Sequence, residues 1–255
     1  YADIVGAGTG LREVMKLARQ VAPSDTTVLV RGETGTGKEV IARAVHRMSP
    51  RKKRPFIVAN SAAIPRELME SEMFGHVKGS FTGAISDHEG FFETAGVGTL
   101  LLDEIGDLDM NLQAKILRVL EDGSYKKVGS TRIQYNRARI IASTHQDLER
   151  LIEENRFRED LYYRLDVFPI TLPPLKERRE DIPRLAGHFL EIYSARIPGG
   201  GLELEDEAID ALVEYSWPGN VRELRNIIER LAITANGGSV GIGDVVPLLA
   251  GPGGK

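Results

Sequence analysis

Lys38 stands near the end of a glycine run, GETGTGKE (Gly32–Glu39), that follows a short β-branched stretch and opens a helical one. In that context glycines let backbone N–H groups converge on phosphate oxygens, and the helix start adds positive potential. Lys38 would then reach the β- and γ-phosphates. The generic pattern asks next for Ser or Thr as a Mg²⁺ contact, and Glu39 stands there instead. Taken alone, the run also fits a glycine turn that caps a helix. A second motif weighs against that reading. GTLLLDE (Gly98–Glu104) drives an apolar run straight into two adjacent acids. Asp103 would hold Mg²⁺ directly or through water, and Glu104 would polarise the attacking water. An acidic strand end that merely faces solvent leaves the apolar run unexplained. Together the two motifs point to hydrolysis of ATP or GTP.

Phosphoryl transfer gains from cations placed on the developing charge. FREDLYYRL (Phe157–Leu165) offers Arg158 and Arg164, six apart and close to one helix face; ion pairs with Glu159 or Asp160 account for them equally well. In WPGNVREL (Trp217–Leu224), Asn220 as N-cap puts Arg222 in a first helical turn, where a cation opposes the helix dipole unless an anion such as a nucleotide phosphate lies nearby. Trp217 reads as a packing residue. GHVKGSFTGAISDHEG (Gly75–Gly90) is of another kind. Phosphate chemistry has no use for the apolar ring of Phe81 between Gly79 and Gly83; contact with a partner does.

The elements that must position these residues alternate up to about Leu172. Thr26–Gly32, Pro55–Asn60, Gly98–Glu104 and Arg137–Thr144 read as strands; Lys38–Met48, Pro65–Gly75 and Asn111–Gly123 read as helices. The apolar runs suit strands buried on both faces, so the expected fold is α/β, a parallel sheet flanked by helices. Beyond LPPLKERREDIP the pattern is helical only: about 182–195, 206–215 and 220–235, with a last turn near 242–249 and IPGGG (Ile197–Gly201) between the first two. The expected domains are 1–172 (nucleotide-binding, with a partner-contacting loop at 79–84), 173–250 (helical lid) and 251–255 (linker tail).

The 255 residues are 42% hydrophobic and 27% charged with a net charge of −4, which suits a sizeable core and no strongly basic nucleic-acid binder. The absence of cysteine excludes disulfides, thiolate zinc sites and a cysteine nucleophile, and fits a reducing compartment. The five histidines show no metal-ligand spacing, and RKKR (Arg51–Arg54) reads as a solvated loop. No apolar run approaches the roughly 18–20 residues of a membrane helix, and the N-terminus does not read as a signal peptide. The start at Tyr1 suggests an excised segment with flanking domains missing.

GETGTGKE, ESEMFGHVKGSFTGA, GTLLLDEIGDL, FREDLYYRL, LPPLKERREDI and WPGNVREL occur in order at familiar spacing. Over Asp3–Leu249 the chain resembles the central AAA+ P-loop NTPase domain of bacterial sigma-54-dependent transcription activators, the NtrC-like enhancer-binding proteins. GSFTGA is the specific part, since other AAA+ remodellers use different pore loops. The resemblance implies a cytoplasmic ATPase using ATP and Mg²⁺, assembled as a homo-oligomeric ring, usually a hexamer. It implies contact with the sigma-54 RNA polymerase holoenzyme through Gly79, Ser80, Phe81, Thr82, Gly83 and Ala84, and remodelling of the closed promoter complex. Promoter DNA is then engaged indirectly, and enhancer DNA is read by a C-terminal domain missing here. Gly32, Glu33, Thr34, Gly35, Thr36, Gly37, Lys38 and Glu39 are Walker A on this resemblance, with glutamate usual at Glu39. Asp103 and Glu104 are Walker B. Asn60 matches the switch asparagine that holds the catalytic glutamate, and Thr144 falls in the sensor I stretch. Arg158 and Arg164 match fingers reaching a neighbouring subunit's nucleotide, Arg222 matches sensor II, and Val5 and Gly6 line the adenine pocket. Departures are Ser80 for the commoner alanine, Val77 where glutamate is frequent, and His145 at a sensor position that is often asparagine. A general AAA+ remodeller and a non-hydrolysing nucleotide sensor are the competing readings; the FTGA tip argues against the first, and intact Lys38, Asp103, Glu104 and arginines against the second.

Overall fold

The computed structural model describes residues 4–195, 201–234 and 238–249. The chain divides into two compact units: residues 16–32 with 38–171, and the described residues among 1–15, 33–37 and 172–255. The tail at 251–255 and most of the IPGGG separator lie outside the described residues.

In the first unit, helix α1 (Arg12–Val21, in this unit from Lys16) precedes β1 (Val28–Arg31), α2 (Lys38–Met48), β2 (Phe56–Asn60), α3 (Arg66–Phe74), α4 (Phe91–Ala95) and β3 (Thr99–Asp103). There follow α5 (Met110–Asp122), a hairpin of β4 (Ser124–Lys126) and β5 (Ile133–Tyr135), β6 (Arg139–Thr144), α6 (Leu148–Glu153), α7 (Glu159–Leu165) and β7 (Phe168–Thr171). The sheet is parallel throughout, in the order β2-β3-β6-β1-β7. The central strands are covered on both faces. Leu100, Leu101 and Leu102 are fully buried, and all six residues of β6 are buried. Pro169 lies in edge strand β7, where a missing N–H does not break an inner ladder.

Helix α5 shows how local sequence sets the frame. Asp109 caps it by accepting from the N–H groups of Asn111 and Leu112, and Gly123 ends it at φ 77°. Its buried face, including Leu112 and Ile116, joins the apolar core with Phe74 and Phe92, whose rings stack at 5.4 Å. Arg139, 2% exposed, donates to the carbonyls of Val21 and Ala22 at the end of α1. Burial pushes its pKa down, opposed by the nearby Asp25.

The second unit holds α8 (Ile182–Ser194), β8 (Glu203–Leu204), α9 (Asp206–Glu214), α10 (Asn220–Thr234), β9 (Ser239–Val240) and α11 (Ile242–Leu249). Its core includes Leu185, Leu212, Leu224, Ile228 and Trp217. Trp217 is 1% exposed and donates its indole N–H to Leu212 O at 2.7 Å, so it is a packing residue. The β8–β9 pair was not legible in the helical reading of this region.

Candidate nucleotide site

Parallel strands deliver their following residues to one edge of the sheet, and ligands of open α/β sheets sit at that edge. Lys38, Asp103 and Glu104 meet there within the first unit. Lys38 begins α2, is 6% exposed, and sends its Nζ to Gly32 O at 3.0 Å and Glu104 Oε1 at 3.3 Å. Asp103 is the last residue of β3. Its Oδ2 accepts from Asn60 Nδ2 at 3.0 Å and its Oδ1 from Ser143 Oγ at 2.5 Å. Burial raises its pKa above the ordinary carboxylate value and Glu104 adds to this, while Ser143 and Lys38 oppose it.

Glu104 leaves the strand in a left-handed turn at φ 57°, ψ 54°, a strained geometry for a side-chain-bearing residue. That turn carries its carboxylate toward the end of β6. There Oε2 accepts from His145 N at 3.1 Å and pairs with His145 Nδ1 at 2.7 Å. Burial alone would raise the Glu104 pKa; the His145 hydrogen bonds and Lys38 outweigh it and bring the pKa below the ordinary value. The Asn60 side chain meets the first of the two acids here. Asn60 is in register with Asp103 across β2–β3, so their side chains share a face and Asn60 binds Asp103. Thr144 is 1% exposed, and its hydroxyl accepts from Gln146 N–H. Glu39 pairs with Arg43 one turn on, at 2.6 Å, so its carboxylate is held along the helix.

Each Asp103 oxygen accepts one hydrogen bond and keeps acceptor capacity, and no cluster of three metal-binding side chains occurs among the described residues. Such a hard, sparse oxygen set fits Mg²⁺, which takes one or two carboxylates and completes its shell with water and substrate phosphates.

Residues 33–37 belong to the second unit. Asn220 Nδ2 donates to Glu33 Oε2 and Thr34 O, and Arg178 Nη2 donates to Thr36 O at 2.8 Å. Gly35 has φ +81°, and a Cβ there would lie 2.3 Å from Gly219 O, so only glycine fits. Arg222 is exposed and makes no hydrogen bond or ion pair among the described residues; its Cβ borders Gly35. Asn220 is not the expected N-cap. It is buried at φ 53°, and its side-chain oxygen accepts from Leu175 N–H instead of a first-turn amide. Val5 packs on the helical core, and the Asp181 carboxylate lies against Gly6.

Arg158 and Arg164 do not share a helix face. Arg158 precedes α7 in extended conformation, and Arg164 lies in its last turn. Arg158 pairs with Asp160 at 2.6 Å, and Arg164 donates to Leu120 O. The backbone N–H of Arg158 is fixed by Gln113, a fully buried side chain that also donates to Leu108 O and Arg156 O. Ser143, Gln113 and Arg178 had no local signal in the sequence.

The 75–90 segment is a loop rooted by His76 and His88, whose backbones exchange both hydrogen bonds, and by Val77 N–H on Val128 O. Phe81 is 39% exposed with its ring edge-on to His76 at 5.0 Å. Gly79, Thr82 and Gly83 are exposed. Ala84, expected among the contact residues, is 6% exposed, because the turn that joins Gly79 N–H to its carbonyl folds it inward. Ser80 packs on Gly129, and its hydroxyl has no partner.

Comparison with known proteins accounts for both units. Residues 4–171 match the sigma-54 interaction domain family and residues 176–252 the AAA+ ATPase lid domain. The chain is 51% identical over 93% of its length to 38% of the Nif-specific regulatory protein of Azospirillum brasilense. It is 49% identical over 94% of its length to 51% of the transcriptional regulator NtrC of Klebsiella pneumoniae. It thus spans about half or less of these relatives. NtrX of Brucella abortus, solved in complex with ADP, superposes with a TM-score of 0.87 at 37% identity, over 96% of this chain and 55% of that one. The fold is that of AAA+ P-loop NTPases, and the chain belongs to the sigma-54 interaction domain family.

Proposed function

We propose that this domain hydrolyses ATP to ADP and phosphate and uses the cycle to activate transcription with sigma-54 RNA polymerase. The observation that carries the catalytic half is the meeting of Lys38, Asp103 and Glu104 at one sheet edge. Gly32–Gly37 and Lys38 bind the phosphates, Glu104 accepts a proton from the attacking water, and Arg222 supplies a cation. Asp103 would hold Mg²⁺, which supplies charge neutralisation on the phosphates when bound. NtrX solved with ADP and with ATP supports nucleotide binding by this fold.

On this reading the domain works as a cytoplasmic homo-oligomeric ring, a hexamer, in which Arg158 and Arg164 act on a neighbouring subunit's nucleotide. The Arg158–Asp160 pair is exposed and local, so a phosphate can replace it at small cost. No helix of the described residues is long and apolar enough to cross a membrane. Gly79–Ala84, with Phe81 and Thr82 at the tip, contacts the holoenzyme and remodels the closed promoter complex. Promoter DNA is engaged through that complex, and enhancer DNA by a domain outside this chain. The 1–172 and 173–250 segments serve as nucleotide-binding and lid subdomains. The test is capture of sigma-54 in the presence of ADP–aluminium fluoride, alongside phosphate release from ATP. Capture with the fluoride complex and none without nucleotide is expected. Phosphate release with no nucleotide-dependent capture would leave an ATPase with another partner.

A further inference from the structure

We propose that Arg31 is a positioning residue for α7, holding it in the orientation from which Arg158 and Arg164 reach a neighbouring subunit's nucleotide; this rests on those two arginines acting between subunits. Arg31 ends β1, and its guanidinium ties two helices together. Nη1 donates to Glu149 Oε1 in α6 at 2.7 Å. Nη2 donates to the Tyr162 hydroxyl in α7 at 3.0 Å and pairs with Asp166 Oδ1, just past the end of α7, at 3.1 Å. The guanidinium also stands over the Tyr162 ring, 5.5 Å from its centre. The Tyr162 hydroxyl closes the knot by donating to Glu149 Oε1 at 2.6 Å. A planar fork can serve partners on two helices at once; the single nitrogen of a lysine cannot.

Tyr162 passes this hold to both fingers. Its N–H donates to Arg158 O at 3.1 Å, and its carbonyl accepts from Asp166 N–H at 2.8 Å. Whatever fixes the Tyr162 side chain therefore fixes the turn that starts at Arg158 and the turn that carries Arg164. Helix α7 has seven residues and buries only Leu161 and Leu165, so its apolar side gives it a short grip. The Arg31 knot is a second, polar one. Arg31 also has another neighbour. It precedes Gly32, whose carbonyl accepts from Lys38 Nζ at 3.0 Å. A loss at Arg31 could thus travel through its own phosphate loop or through α7, and the two routes act on different subunits of a ring.

The experiment separates them by mixing two kinds of subunit. Lys38→Ala subunits keep the fingers and lose the phosphate lysine; Arg158→Ala, Arg164→Ala subunits keep the lysine and lose the fingers. Each kind alone should hydrolyse ATP slowly, and the mixture should recover activity. Arg31→Met, which keeps the apolar stem and removes the fork, is then added to one kind or the other. In the finger-giving subunits it is expected to lower the recovered rate about 10-fold, less than the roughly 10²-fold that a 1 Å misplacement can cost. In the nucleotide-binding subunits it should leave both the recovered rate and the KM for ATP unchanged. Tyr162→Phe, which removes only the hydroxyl, should show the same one-sided loss to a smaller degree. A variant that had merely lost stability would lose activity in either kind of subunit. Equal loss in both kinds, loss confined to the nucleotide-binding kind, or no loss in either would each overturn the role of Arg31. If the mixture recovers nothing before Arg31 is changed, the fingers do not act between subunits and the positioning role falls with them. A mixture that recovers and ignores Arg31→Met removes the positioning role alone.

Discussion

The strand-end site and the 75–90 loop lie in one compact unit and are built in opposite ways. At the strand end, Lys38 is 6% exposed, both oxygens of Asp103 and of Glu104 have partners, and Leu100, Leu101 and Leu102 beneath are fully buried. In the loop, Phe81 is 39% and Ile85 83% exposed, and nothing lies within 4 Å of a Cβ built on Gly79 or Gly83. Charge chemistry gains from groups that are already oriented and dry. A contact that must reach a partner gains from a segment with few contacts to break, and segments of low contact density open most easily. The same unit thus carries a fixed end and a movable one.

The contrast breaks most visibly if chemistry and coupling cannot be separated. Glu104→Gln should bind ATP and lose about 10²–10⁴ in kcat, the range for a general base, measured by phosphate release. Thr82→Ala should keep ATP hydrolysis near the parent rate and lose capture of sigma-54. Equal loss of both activities in Thr82→Ala would make the loop part of the catalytic site.

Stability offers the next test. Phe92 is 2% exposed and stacked on Phe74 in the core beneath the loop's roots. Phe92→Ala should cost about 3–5 kcal/mol in urea unfolding, through lost burial and the cavity left behind. Phe81→Ala, which removes an exposed ring, should stay within about 1 kcal/mol. A similar cost for both would mean that the loop is packed as firmly as the core.

What was legible in the sequence follows the same division. Phosphate chemistry demands contiguous residues, so Gly32–Lys38 and Asp103–Glu104 could be read directly, and α2 fell on Lys38–Met48 as spaced. The partners that orient those residues could not be read. Ser143 meets Asp103 from 40 residues away and Arg178 meets Thr36 from 142, and no local spacing encodes such pairs. The bond from Asn60 to Asp103 could not be read either, because it depends on strand register, which appears only once β2 and β3 are paired. The β4–β5 hairpin escaped notice because Ile133 and Tyr135 are exposed, leaving no buried alternation to detect. Asn220 looked like a cap by residue type, and the fold spends its amide on residues 33 and 34 instead.

A third kind of loop residue sharpens the distinction by isolating backbone strain. Gly83 has φ +106° with open space around it, so a methyl group meets no atom and only the backbone resists. Gly83→Ala should cost about 1–2 kcal/mol or shift the loop to another conformation, because side-chain-bearing residues avoid that region. Calorimetry of the domain and capture of sigma-54 read the two outcomes. A silent substitution in both would show that the tip is already free to change its backbone.

The smallest effect belongs to a cluster that is hydrogen-bonded like the site and exposed like the loop. Glu149 is 48% exposed, receives Arg31 Nη1 at 2.7 Å and the Tyr162 hydroxyl at 2.6 Å, and Arg31 also pairs with Asp166 at 3.1 Å. Burial alone would raise the Glu149 pKa, but the bonds from Tyr162 and Arg31 prevail and hold it at about 2, against an ordinary 4.5. A depressed carboxylate pKa contributes stability that is complete above the unfolded value and is lost as pH falls from 4.5 toward 2. Solvent screening reduces the contribution of such an exposed pair to about 0–1 kcal/mol. Glu149→Gln should therefore lower the urea midpoint slightly at neutral pH, and the difference from the parent should close as pH is lowered through that window. If the loss instead rivals that of Phe92→Ala, hydrogen-bond number and not burial sets rigidity in this unit, and the contrast between its fixed and movable ends has to be redrawn on that basis.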